Sequence, residues 1–317
     1  MINLGKLPLC LVFAVGATGA GAKPWQPSPE HAQIALWPAE PPDQQHGSGP
    51  ENEVTLVSHL VAGKPWLAVS NVVQPTITVY SQEGKNTGVA MVVFPGGGYK
   101  VLAIDLEGTE VCDWLTAKGI TCVLLKYRVP GEGGYPKTAP HPKSGHYPDS
   151  PIALEDAQRA LGLVRLRAKE LKVDPHKIGV LGFSAGGHLV AATSNHAKRI
   201  YAPFDAADKI SCLPDFAVAL YPGHLSLDSK TLQLNPDIRP SKDTPPTFIL
   251  QAEDDPVDRV EHSLVYYEAL RKAKVPVEMH LYAHGGHAFG LRPTDEPITH
   301  WPDLVEAWLV TIGMLPK

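Results

Sequence analysis

From residue 75 onward, short apolar runs alternate with longer amphipathic stretches, and this alternation leaves few architectures open. The runs "PTITVYSQ" (75–82), "GVAMVVFPGGG" (88–98), "ITCVLLKYRV" (120–129), "KIGVLGF" (177–183), "FAVALYP" (216–222), "PTFILQAE" (246–253) and "VEMHLYA" (277–283) read as strands. Several are apolar at nearly every position, as strands covered on both faces are. Between them the spacing predicts helices over 108–119, 151–171, from Ser184, around 259–273, and over 301–313. In the first of these Val111, Trp114 and Leu115 fall on one face, and Gly119 supplies a stop. Strands separated by helices build a mostly parallel sheet with helices on both faces, an α/β fold.

Around this core the sequence is less regular. The stretch 1–22 has a lysine (Lys6), an apolar run "LPLCLVFAVGA" and small residues before Lys23, which together read as an export signal. Its apolar part is shorter than the ~20 residues a bilayer span requires. With no later candidate span, the expectation is a soluble secreted or periplasmic protein. Residues 23–53 are rich in proline and polar residues and read as an extended lead-in that either wraps the surface or is partly mobile, ahead of one catalytic domain over 54–317. The loop 130–150, "PGEGGYPKTAPHPKSGHYPDS", has no periodicity and reads either as a connection or as a rim of a cleft. A formal net charge of −5 gives no electrostatic case for nucleic acid or an anionic membrane as partner. Cys112, Cys122 and Cys212 allow one disulfide and leave the pair open, and no His/Cys cluster has zinc spacing.

The chemistry centres on "LGFSAGGH" (181–188). Glycine is a poor helix former, yet Gly186 and Gly187 stand where the helix starts, so this turn needs backbone room more than helix propensity. A Gly-x-Ser-x-Gly sequence between an apolar strand and a helix is the pattern of a nucleophile elbow, with Ser184 held above the sheet. A serine hydroxyl needs a base, and the base needs an orienting acid; in this architecture both follow the serine, acid first. The loop "AEDDPVD" offers Asp254, Asp255 and Asp258; Asp255 is preferred because Pro256 fixes the turn, with Asp254 as its rival. The loop "AHGGHAFG" offers His284 and His287, and the glycines favour His287. His188, on the nucleophile helix, reads as a packing or capping residue. Backbone amides for a developing oxyanion are expected from Ala185 and from the run of three glycines in "FPGGGYK", each typically worth roughly 3 kcal/mol in a transition state.

The segments "PGGGY" (95–99), "DLEGTEV" (105–111), "LKYRVP" (125–130), "DAQRAL" (156–161), "IGVLGFSAGGHL" (178–189), "AEDDPV" (252–257) and "GGHAFGL" (285–291) together resemble the α/β-hydrolase superfamily. More narrowly they are similar to secreted bacterial esterases grouped with acetyl xylan esterases and feruloyl-esterase-like hydrolases. Pro95 stands where lipase-like relatives carry histidine, which favours the carbohydrate-esterase branch. The resemblance implies Ser184, Asp255 and His287 as catalytic residues, Gly96, Gly97 and Ala185 as an oxyanion hole, and no cofactor or metal. Tyr99 and Glu107, beside the oxyanion loop, are possible substrate contacts. Asp156 and Arg159 read as an ion pair on one helix, and Tyr127 and Arg128 as residues shaping the cleft or closing the core. The implied activity is hydrolysis of short acyl esters, acetyl foremost, on plant polysaccharide. Feruloyl or general carboxylesterase activity is the alternative; a peptidase of the same fold would normally carry a large preceding domain. A carbohydrate-binding protein on the hydrolase fold stands as the non-enzymatic reading.

Overall fold

Eight strands form one sheet: β1 (Gln33–Ala35), β2 (Thr76–Tyr80), β3 (Ala90–Phe94), β4 (Thr121–Lys126), β5 (Ile178–Phe183), β6 (Ala217–Leu220), β7 (Thr247–Ala252) and β8 (Val277–Tyr282). Their spatial order is β1-β2-β4-β3-β5-β6-β7-β8. The strand β2 is antiparallel to both of its neighbours, and every pair from β4 to β8 is parallel. Every residue of β3 to β7 is buried, which is why those runs are apolar at nearly every position, whereas β8 at the edge is mostly half-buried. The computed structural model describes residues 23–44, 47, 49–82, 84–131, 133, 150–228 and 232–317. The segment 1–22, read as an export signal, and nearly all of the 130–150 loop lie outside the described residues.

Among the described residues, five helices cover the sheet: α1 (Glu110–Ala117), α2 (Ser150–Leu166), α3 (Ala185–Asn195), α4 (Val260–Lys272) and α5 (Trp301–Thr311). Adjacent strand residues point to opposite faces, and the last two of β5 show which helices lie where. A Cβ on Gly182 would run into Gly186 and Val190 of α3, while the Phe183 ring meets Trp301 of α5. Trp301 also meets Trp114 of α1, and Trp308 meets Phe216 and Phe248, so α1 and α5 share one face. On the other face α2 packs on α3, and Asn195 of α3 donates to the Tyr266 hydroxyl of α4. A π-turn over Asp105–Thr109 leads directly into α1. The cysteine question is answered by a disulfide between Cys112 of α1 and Cys122 of β4, with Cys212 buried and reduced.

The structure departs from the sequence reading in the lead-in. Residues 33–35 are the first strand of the sheet, and Trp25, Leu36 and Trp37 are part of the core. An unforeseen hairpin, Asn52–Val61 with Lys64–Ser70, joins Val101–Ala103 in a separate three-stranded sheet. Trp37 Nε1 donates to Asp156 Oδ1 at 2.8 Å, and Arg128 and Arg159 lie over its ring. Asp156 and Arg159 are therefore not partners of one another. Asp156 takes the Arg128 backbone N–H at 2.9 Å and its Nε at 3.0 Å, while Arg159 pairs with Asp205 and Asp208 and donates to the Leu36 carbonyl. Tyr127 closes the core, its hydroxyl donating to the Pro95 carbonyl.

Arg128 is buried with Glu155 and Asp156, and also donates to the Pro42 carbonyl of the lead-in. Burial pushes the Glu155 carboxyl up to about 8, outweighing the opposing effect of Arg128. Near neutral pH it therefore already resembles glutamine. Arg128→Ala, which strands the buried Asp156 charge, is expected to cost about 3–5 kcal/mol. Glu155→Gln should cost less than about 1 kcal/mol, and urea unfolding of both variants at pH 7 checks the contrast.

Candidate active site

The strand order places β3 beside β5, while the chain leaves β3 toward β4 on one side and leaves β5 toward β6 on the other. Such a switch point opens a crevice at the carboxyl ends of the strands. The two sequence segments singled out as glycine-rich, 95–98 after β3 and 182–187 around the end of β5, both reach it. Ser184 sits at the turn with φ 52° and ψ −117°, a strained conformation for a residue with a side chain. Its N–H donates to Leu220 O of β6 at 3.0 Å, and α3 starts at the next residue. The turn is this tight because α3 begins against the backbone of β3: a Cβ on Gly186 would fall 2.0 Å from Phe94 O.

His287 Nε2 stands 3.0 Å from Ser184 Oγ, and His287 Nδ1 is 2.7 Å from Asp255 Oδ2. Asp255 is itself fixed: Oδ1 accepts the N–H groups of Val257 (2.8 Å) and Asp258 (2.9 Å), and Oδ2 accepts from Gln251 Nε2 (3.1 Å). The rivals meet elsewhere. Asp254 accepts from Gly286 N–H and contacts His284 Nδ1 on the surface, away from the serine. That backbone bond, followed by His284, lowers the Asp254 pKa. For His287 burial opposes the charged ring, but the Asp255 hydrogen bond and the charges of Asp258, Asp255 and Glu107 outweigh it, so its pKa is raised.

The oxyanion side needs correction. Gly96 N–H donates to Glu107 Oε2 at 2.7 Å, so that amide is committed to a side chain rather than to an incoming oxygen. Gly97, with φ +131°, and Ala185 are the amides of the expected trio that remain as donors. Glu107 is only 2% exposed and its Oε1 accepts from the Tyr221 hydroxyl at 2.8 Å, so it braces loops and does not present itself to substrate. Burial raises its pKa. The Tyr221 oxygen in turn accepts Gly290 N–H at 3.2 Å, which ties the loops after β3, β6 and β8 together. Tyr99 is 1% exposed, and its hydroxyl meets His188 Nδ1 at 2.8 Å, so both are buried packing residues and not an open contact surface.

Sequence reasoning missed Tyr221 and left Asp258 as a spare acid. Asp258 Oδ2 accepts from Ser184 Oγ at 2.9 Å. Its signal in the sequence is a third aspartate in "DDPVD", one more than a single orienting acid requires. Among the described residues no group of three His, Cys, Asp or Glu side chains is arranged to hold a metal.

Two family models match the chain: the prolyl oligopeptidase family over residues 155–312, and BD-FAE over 78–218. An acetylxylan esterase of Xylanibacter ruminicola is 29% identical over 228 residues, covering 64% of this chain and 42% of that protein. An endo-1,4-beta-xylanase B of Butyrivibrio fibrisolvens is 25% identical over 244 residues, covering 72% of this chain and 36% of that protein. The chain thus spans less than half the length of these two curated relatives. A crystal structure of an acetyl ester-xyloside bifunctional hydrolase from Caldicellulosiruptor lactoaceticus superposes with a TM-score of 0.67 at 30% identity, covering 90% of this chain and 97% of that one. That likeness extends over almost the whole of both chains, and the chain belongs to the α/β-hydrolase superfamily, in its acetyl xylan esterase-like group.

Proposed function

We propose that the protein is a serine esterase that removes short acyl groups, acetyl foremost, from xylan-type polysaccharide outside the cytoplasm. The observation that carries this reading is the line Ser184 Oγ, His287, Asp255, with contacts of 3.0 and 2.7 Å. In it His287 Nε2 takes the serine proton as Oγ attacks the ester carbonyl, and Asp255 holds the ring through Nδ1–H and stabilises the imidazolium. The carbonyl oxygen becomes an oxyanion received by the Gly97 and Ala185 amides. His287 returns the proton to the departing sugar hydroxyl. Water, deprotonated by the same imidazole, then attacks the acyl-serine and releases the acid. The polysaccharide part of the reading is supported by the acetylxylan esterase and xylanase relatives. An export signal at 1–22 and the Cys112–Cys122 disulfide support the location, since disulfides persist in oxidising compartments.

Acetate release from acetylated xylo-oligosaccharides, beside ferulate release from feruloylated arabino-xylo-oligosaccharides, tests substrate and mechanism together. Ser184→Ala is expected to lower kcat by about 10⁶, and Asp255→Asn by about 10⁴ through loss of the correct tautomer. Cleavage of a small synthetic ester without either sugar ester would retain the serine hydrolase and remove the polysaccharide. Glu107→Ala, which releases Gly96 and Tyr221 together, should lower kcat by about 10² or more with a smaller effect on KM, read from the same assay.

A further inference from the structure

Asp255 has its place in the reaction just described, but a second carboxylate reaches the nucleophile itself. Asp258 is buried, three residues further along the same loop; its Oδ2 is 2.9 Å from Ser184 Oγ and 3.8 Å from His287 Nε2. Its position is built by several elements. Its N–H is held by Asp255 Oδ1, and its carbonyl accepts from Gln251 Nε2 at 2.8 Å. Across from the carboxylate, in the loop after β6, stands Gly223, where a Cβ would fall 2.4 Å from Asp258 Oδ1. Gly223 N–H donates to Ser184 O at 3.2 Å, so the residue that leaves space for the carboxylate is also bonded to the nucleophile. Tyr221 and His224, close on either side, have φ 36° and 56°, a conformation that persists only when the surroundings impose it.

Proton counting gives this arrangement a consequence. Two hydrogen bonds along Nε2, Oγ and Oδ2 require two protons, and the serine hydroxyl supplies one. The second resides on His287 Nε2 or on the Asp258 carboxyl. On the imidazole, it blocks acceptance of the serine proton. On the carboxyl, it donates to Oγ and draws electron density from the attacking oxygen. The serine is ready only when that proton has left.

We propose that Asp258 is a further catalytic residue, sharing one proton with His287 across Ser184 Oγ and so setting the pH at which the nucleophile becomes active. This rests on the serine-esterase reading. The titratable groups facing Asp258 are His287 from the loop after β8, His224 from the loop after β6, His262 from α4, Asp255 from its own loop and Glu107 from the π-turn. Burial takes His224 down to about 4 and also lowers His262, so His287 is the one of these three histidines held in its charged form toward higher pH. A carboxylate favours the imidazolium. With Asp258 in place, activity is present above the raised His287 pKa and is lost as pH falls through it. A neutral side chain at 258 moves that loss to lower pH. In Asp258→Asn the amide donates to Oγ while the serine donates to His287, and both bonds form without the extra proton.

The test is the pH dependence of Ser184 modification by a fluorophosphonate, and of kcat/KM on a small acetyl ester, from acid to mildly alkaline pH. Wild type is compared with Asp258→Asn, Asp258→Ser as a second neutral variant, and Asp258→Glu as the charge-retaining control. Near-UV circular dichroism selects the variants that keep the native fold. The expected result is that the ratio of neutral variant to wild type rises as pH falls, while Asp258→Glu keeps the acid limb of the wild type. A ratio constant at every pH in a folded neutral variant overturns the role of Asp258 and leaves the esterase standing. A wild type that does not react with the fluorophosphonate at any pH overturns the esterase reading and this proposal with it.

Discussion

The first turn of α3 lies directly on the backbone end of β3, with no room for a side chain between them at Gly186. This approach determines most of the site. It forces the reversal at Ser184, it aims the positive end of α3 at the hydroxyl, and it brings the Ala185 amide next to the loop after β3. A side chain at Gly186 would separate two parts of the oxyanion site before it disturbed anything else.

Around that contact, polar atoms in a dry interior hold loops that no regular element controls. Glu107 receives Gly96 from the loop after β3 and Tyr221 from the loop after β6, and the Tyr221 oxygen receives Gly290 from the loop after β8. Three loops that share no strand pairing are thus referenced to one carboxyl group. The same arrangement recurs on the acid side, where Gln251 bonds Asp255, the Asp258 carbonyl and, through its oxygen, the Ser263 hydroxyl. A buried polar network is costly when any member lacks a partner, and here its members sit on residues that must keep their geometry within tenths of an ångström.

The parts legible in the sequence are those set by local pattern. Nearly unbroken apolar runs marked β3 to β7 because those strands are covered on both faces, and the Gly-x-Ser-x-Gly turn stood out because its glycines contradict the helix they begin. What was not legible depends on contacts distant in sequence. A run of glycines after β3 does not say which amide faces outward, and Glu107, eleven residues away, had taken Gly96. Three aspartates in one loop look alike until the loop folds; then one faces His287, one faces Ser184 and one faces His284. The lead-in has no periodicity at all, since its place is fixed by Trp37, inserted among side chains from the middle of the chain.

That insertion has a bearing on the order in which the chain can assemble. Trp37 and Asp156 are 119 positions apart, and Arg159 reaches back 123 positions to Leu36. The segment synthesised early thus has its docking surface made late, after β4 and α2 exist. Contacts of such long sequence separation close slowly, because the loop entropy must be overcome before the contact returns anything. The edge strand β1 is therefore the natural final piece of the sheet, added to a core already formed by the strands that follow it. Until it docks, the ring of Trp37 and the buried charges of Arg128, Asp156 and Arg159 remain in water, and the nascent protein carries its most polar core site open to solvent.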